Sequence, residues 1–267
     1  MTSILTSLGA GAGIDSAKLV GDLVAATRET RARPLEARAA ANTARLTAVA
    51  TLSSSIATIA SSVATRARTL ADADIPAFVE DMVGALNELR NQLSQVTAPA
   101  TAGAAAGALS GDSAARALGR ALSGLAGATV SGGTTLTRLA EIGVSTARDG
   151  SLQYDAGKLA AALTADPAAV KALLGVGATA SGGVPEMLGE LRTRMTGFRG
   201  ELTMARATYD RTSATLARAQ ARLATDMSTM TERLTRSFAV MDRQVAQVKA
   251  AQAYLQQQVA VWTAARQ

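Results

Sequence analysis

The segment from Val184 to the C-terminus constrains the fold more than any other stretch of the chain. Apolar or small residues recur at Leu188, Leu191, Met195, Phe198, Leu202, Ala205 and Tyr209, and again at Leu216, Ala219 and Leu223. These spacings of three, four and seven predict helix with one apolar face. Gly197 and Gly200 are candidate breaks early in the run. Beyond Leu223 the rhythm becomes Met227, Met230, Leu234, Phe238 and Met241, with steps of eleven from Ala219 to Met230 and from Met230 to Met241. Such steps locally unwind a left-handed supercoil. The seven-residue rhythm then resumes at Val245, Val248, Gln252, Leu255, Val259 and Trp262. A helix from Glu201 to Ala264 would be ~95 Å long at 1.5 Å per residue. No single globule covers such a helix, so it needs partner helices from this chain or from neighbours.

The N-terminal part repeats the theme. Residues 1–14 are rich in Gly, Ser, Thr and Ala, and Gly9, Gly11 and Gly13 mark a flexible segment. Asp15 stands where a helix N-cap belongs, followed by an apolar stripe of Leu19, Val20, Leu23 and Val24. Pro34 is expected to break or restart this helix. A second helix should run to Leu70 through Leu46, Val49, Ile56, Ile59 and Val63, which is a coiled-coil-like seam. Asp74 is placed to cap a third helix with the seam Ile75, Val79, Met82, Leu86, Leu89, Leu93 and Val96. Residues 99–111 read as a flexible loop, and Asp112 or Ser113 as the cap of a short helix through Leu118, Leu122 and Leu125.

Residues 143–154 are the best hairpin candidate, with Asp149-Gly150 as a two-residue turn. Asp155 should cap a helix through Leu159 and Leu163. Asp166-Pro167 should start another that ends at Gly175. The stretch 175–183 reads as a second flexible linker. The expected fold is mainly α: an elongated coiled-coil stalk of paired N- and C-terminal helices, with a small α+β body containing a β-hairpin. The expected segments are a flexible 1–14, stalk helices over 15–71, the body over 72–183 and a long helix over 184–267.

Composition narrows the chemistry. The chain has 267 residues, of which 48% are hydrophobic and only 3% aromatic, which suits slender helices on narrow seams better than a large globular core. Cysteine and histidine are both absent, so thiolate nucleophiles, His-based triads and most zinc, copper and iron sites are excluded. No catalytic constellation is present and no cofactor is implied. Absence of cysteine is compatible with export as an unfolded chain, and equally with an ordinary small bacterial protein. The acidic cluster Asp72, Asp74, Glu80 and Asp81 lacks the alternating oxygen ligands of a calcium loop, so helix capping is the better reading. The Gly9–Gly13 stretch is no phosphate loop, having neither a preceding strand nor a following Lys-Ser/Thr. The net charge of +6 raises a basic coiled coil that binds nucleic acid or an anionic surface. The arginines are spread among acidic residues, however, and stacking residues are nearly missing. No apolar run approaches the ~18–20 residues of a membrane span. No basic-then-apolar leader opens the chain, so an exported protein of this kind would use a route without a cleaved signal peptide.

Four stretches resemble the flagellar filament capping protein family, also called flagellar hook-associated protein 2. Gly13-Ile14-Asp15 with Leu19-Val20, Leu23 and Pro34 is similar to the family's opening. Gly107-Ala108-Leu109-Ser110-Gly111-Asp112-Ser113, with Arg116 after it, resembles its Gly-x-Leu-x-Gly-Asp-Ser segment. The most specific is Leu139-Ala140-Glu141-Ile142-Gly143-Val144-Ser145-Thr146, running on to Asp149-Gly150-Ser151-Leu152, Lys158-Leu159, Ala162-Leu163, Asp166-Pro167 and Val170. Arg233, Phe238, Met241-Asp242 and Tyr254-Leu255 are similar to its C-terminal helix.

The resemblance implies a secreted structural protein at the tip of the bacterial flagellum, not an enzyme. It implies a ring-like homo-oligomer whose partners are flagellin and other hook-associated proteins, and which promotes flagellin folding and polymerisation. Ile14, Asp15, Leu19, Val20 and Leu23 become candidates for export or assembly. Phe238, Met241, Val245, Tyr254, Leu255 and Trp262 become candidates for contacts with flagellin or neighbouring subunits, with intrachain core as the alternative. Between Arg66 and Phe78 the family usually carries large β-rich head domains. Here about ten residues stand instead, so the resemblance does not by itself extend to what the heads supply, such as a broad lid over the filament tip or cell adhesion, and it covers the leg region that contacts flagellin. A hook–filament junction protein and a flagellin-like filament subunit are the related alternatives.

Overall fold

The computed structural model describes residues 15–132, 135–177 and 182–264. The fold is mainly α. Its helices are α1 (Ser16–Thr69), α2 (Ile75–Thr97), α3 (Ser113–Gly124), α4 (Ala156–Ala165), α5 (Pro167–Leu174), α6 (Gly183–Thr196) and α7 (Glu201–Ala264). Strands β1 (Val144–Thr146) and β2 (Leu152–Tyr154) form an antiparallel hairpin that pairs Val144 with Tyr154 and Thr146 with Leu152. Two compact units divide the chain, one from the described residues of 1–40 and 214–267, the other from residues 41–213.

Unit 41–213 holds the core. The seam expected on α2 is there: Ile75, Val79, Met82, Leu86, Leu89 and Leu93 are all buried, joined by Phe78 and Val83. Against it pack Val49, Leu52, Ile56, Ala60 and Val63 of α1, with Leu118 and Leu122 of α3. Ile142, Val144, Leu159, Leu173 and Leu188 extend the same cluster. Several helix starts are set by local side-chain chemistry. Asp112 Oδ1 accepts from Ala115 N at 2.9 Å, Asp155 Oδ1 from Lys158 N at 3.1 Å and Asp166 Oδ1 from Ala169 N at 2.9 Å. Each satisfies one of the four free N–H groups of a first turn. Gly175 closes α5 at φ +64°, a left-handed position that glycine alone occupies without cost.

Several expectations need correction. Pro34 does not interrupt the first helix, because α1 runs through it to Thr69. Proline removes one backbone bond, to the Thr30 carbonyl. Both residues are exposed, so water can satisfy that carbonyl while the ladder on either side continues. Asp74 occupies the N-cap position of α2 but makes no side-chain cap bond. A short 3-10 turn, Asp72–Asp74, leads into that helix, and Asp72 instead pairs with Lys171 Nζ at 2.5 Å. Asp81 pairs with Arg66 at 2.8 Å, and among the described residues no acidic group gathers into a metal site.

The stretch 99–111 is tied down rather than loose. Leu109 N donates to Val96 O at 2.7 Å, Gly107 N to Ala98 O at 2.9 Å, and the Leu109 side chain is fully buried. The hairpin turn is longer than two residues. Gly150 N donates to Ala147 O at 2.8 Å and Ala147 N to Ser151 O at 2.8 Å. Arg148 and Asp149 therefore make the turn, and Gly150 at φ +79° supplies the bulge of a three-residue loop. Phe198 lies in the break between α6 and α7 and is 92% exposed rather than on the apolar face. The second linker falls partly on residues 178–181, outside the described residues.

By length and composition alone α1 passes for a membrane span, with an 18-residue window of mean hydropathy 1.5, contrary to the sequence expectation. Alanine with Leu, Val and Ile keeps that average high, while Ser53-Ser54-Ser55 and Ser61-Ser62 interrupt any continuous apolar run. The hydroxyls turn back onto the helix, as Ser53 Oγ does to Val49 O at 2.7 Å. The buried α1 residues Val49, Leu52 and Ile56 belong to the core.

Candidate assembly surface

Two features of the unit built from residues 1–40 and 214–267 form the candidate surface: the pairing of α1 with α7, and the bare face of α7 beyond it. Asp15 begins the first, accepting the Lys18 N–H on Oδ1 at 2.9 Å. Lys18 Nζ reaches the next turn to Asp22 at 2.6 Å, an exposed pair whose hydrogen bond holds the ammonium pKa above its ordinary value. Ser16 Oγ donates to Asp242 Oδ2 at 3.1 Å. Gly21 lines the same groove as Thr231, and Arg28 lines another with Leu223 and Met227. Rising numbers on α1 thus meet falling numbers on α7, and the two helices run antiparallel.

Asp15, Ser16, Val20, Phe238 and Asp242 surround a half-open groove of about 190 Å³. Its floor is apolar and its rim carries two carboxylates. The structure therefore brings Asp15, Val20 and Phe238 together from the two ends of the chain. Val20 is buried at 4% exposure, whereas Leu19 and Leu23 are each 45% exposed. The expected four-residue stripe is thus split, because a single antiparallel partner covers only one side of the helix. Ile14 lies outside the described residues.

The later candidates behave differently. Val245 is half-buried and Met241 is 40% exposed. From Ala246 to Trp262 every residue of α7 is exposed. Tyr254, Leu255 and Trp262 stand in water there, Trp262 at 71% exposure, alongside Val248, Val259 and Val261. Tyr254 OH accepts from Gln258 Nε2 at 3.0 Å, one turn on. These side chains are not intrachain core. Burial of one such side chain stabilises by roughly 1.5–3 kcal/mol, so the face is suited to a partner.

Sequence reasoning missed Asp242 as a tie. It stands beside Met241 in the motif, but no local signal links it to a serine so far along the chain. In unit 41–213 it also missed the junction around Tyr209. The Tyr209 hydroxyl donates to Asp112 Oδ2 at 2.5 Å, and Arg45 lies 5.8 Å from its ring centroid. Asn42 Nδ2 donates to Tyr209 O and to Ser213 Oγ, both at 2.9 Å. Burial, then the Asp112 carboxylate, push the Tyr209 pKa up to about 12.

Comparison with known proteins agrees with the motifs. The profile of the flagellar hook-associated protein 2 C-terminus matches residues 42–250. A similar solved structure is that of the flagellar cap protein FliD D1-D2-D3 domains from Escherichia coli, at 33% identity and a TM-score of 0.41. That match covers 50% of this chain and 35% of the other, so the chain spans about a third of its relative's length. No curated protein matches the chain. The profile match extends over well over half of the sequence, and the chain belongs to the flagellar hook-associated protein 2 family.

Proposed function

We propose that this chain caps the tip of a bacterial flagellar filament, assembling as a ring of identical copies that holds incoming flagellin while it folds onto the growing end. The family match over residues 42–250 carries the reading. The exposed apolar face of α7 supports it, since a helix with such a face gains stability only when something covers it. In this reading Leu19, Leu23, Met241, Tyr254, Leu255 and Trp262 contact neighbouring copies, flagellin or other hook-associated proteins. Asp15, Val20, Phe238 and Val245 hold the pairing that presents them. The division into stalk helices, a small body and a long C-terminal helix belongs to the same proposal.

Residues 70–74 alone connect α1 to α2, where the family's large head domains usually stand. This supports a short form in which the heads are dispensable. The protein would act outside the cell, on the flagellum.

The test is to delete the gene and measure flagellin in the medium against flagellin on cells. Monomeric flagellin in the medium with short or missing filaments, reversed by the intact gene, is the expected result. Filaments of normal length and number in the deletion strain would overturn the reading.

A further inference from the structure

Helices α2 and α3 of unit 41–213 enclose an open groove of about 640 Å³, lined by Arg90 from α2 and Arg116 and Arg120 from α3. None of the three takes part in an ion pair among the described residues. Two of the heads are nevertheless fixed in place. Arg90 donates to Ser123 Oγ at 3.2 Å and to the Asp149 carbonyl. Arg116 Nε donates to Asp112 O at 3.3 Å.

The nearby carboxylates are already engaged. Asp112 serves Ala115 N and the Tyr209 hydroxyl. Asp149, whose pKa the Ser151 hydrogen bonds and then Arg90 lower, directs Oδ1 to the Ser151 N–H and hydroxyl. A guanidinium has five N–H donors, more than these bonds use on any of the three heads.

We propose that this groove docks an acidic helical segment of a partner protein, with Arg90, Arg116 and Arg120 taking its carboxylates. Arg116 and Arg120 are one helical turn apart, a spacing of about 5–6 Å between Cβ atoms that Glu residues at i and i+4 of a partner helix reproduce. Arginine heads take carboxylates through two parallel hydrogen bonds, which gives the contact geometry as well as charge. Exposed Ser94 and half-buried Gly119 are the small residues at the groove surface, so a second helix can approach there. The lining includes no aromatic residue on which a nucleic-acid base could stack. This inference is independent of the capping role.

The test uses the full chain and three fluorescein-labelled probes followed by anisotropy. One is a helical peptide with Glu at i, i+4 and i+7. The second is the same peptide with Lys in those places. The third is a single-stranded oligonucleotide of equal negative charge. The Glu peptide should bind, with affinity that falls as salt rises, and the Lys peptide should not. The R116Q/R120Q variant should melt like the parent and bind the Glu peptide at least about tenfold more weakly, one order being about 1.4 kcal/mol. An R218Q/R222Q variant, which removes the same charge from exposed positions on α7, should bind as the parent does. No binding at low salt, equal loss in both variants, or tighter binding of the oligonucleotide through the same two arginines would overturn the proposal.

Discussion

Asn87 of α2 holds Leu152 of β2 by two hydrogen bonds, its Nδ2 donating to the Leu152 carbonyl at 2.9 Å and its Oδ1 accepting the Leu152 N–H at 2.8 Å. A two-stranded hairpin is marginal by itself, and its outer edge leaves backbone groups unpaired. The amide of Asn87 reproduces what a third strand would offer and fixes the hairpin to the helix seam. Replacing Asn87 by Ala leaves both Leu152 groups without partners in a partly buried place. The expected cost is about 1–3 kcal/mol, read as a lower denaturation midpoint with the slope unchanged.

The bond between Tyr209 and Asp112 predicts alkaline sensitivity. Burial and the carboxylate raise the Tyr209 pKa from its ordinary 10.0 to about 12. Between those values the unfolded chain releases its proton before the folded one does. Stability from this group is therefore intact below pH 10 and lost as pH rises toward 12. An absorbance titration of phenolate should show Tyr209 ionising late, with Tyr154, which burial and then Glu80 also hold above 10.0, delayed as well, and Asp112→Asn should move only the Tyr209 step to lower pH.

Acid should act on the turn and cap carboxylates. Asp166 is held below its ordinary pKa of 3.8, first by the Ala169 N–H and then by the Thr135 hydroxyl. Asp149 and Glu141 are lowered in the same way by their hydrogen bonds. For a carboxylate with a depressed folded pKa, the stabilisation is present above the unfolded value and disappears as pH falls through the folded one. Melting temperature should hold down to about pH 4 and then drop. Asp166→Ala should lower it at neutral pH, through loss of the cap, and flatten part of the acid limb.

Gly150 sits at φ +79°, and a Cβ there would fall on the Arg90 guanidinium. Gly150→Ala should destabilise unit 41–213 by about 1–2 kcal/mol. Calorimetry of the variant against the parent measures it.

What could be read from the sequence was local or periodic. Asp15, Asp112, Asp155 and Asp166 each act within three residues, so their caps were legible, as were Gly175 and the α2 seam from Ile75 to Leu93. The hairpin was legible too, though not its loop, because Asp149-Gly150 serves a two-residue turn and a three-residue bulged loop alike. Pro34 was misjudged because solvent can take over the bond it removes, and solvent access is not written in a helical pattern. Periodicity also cannot say which part of a stripe has a partner. It grouped Leu19, Val20 and Leu23, of which only Val20 is buried. It set Phe198 on a face that the Gly197–Gly200 break turns into water. Asn87 with Leu152, and Ser16 with Asp242, are long-range pairs for which a single sequence holds no signal.

The most direct test of the capping account changes only the bare face of α7. Leu255 and Trp262 are exposed and touch no core, so L255Q/W262Q should fold and melt like the parent. Expressed in a strain lacking the gene, the intact chain is predicted to restore filaments. The variant is predicted to leave most flagellin as monomer in the medium. Filaments restored by the variant as fully as by the intact chain would contradict the claim that this face builds the cap.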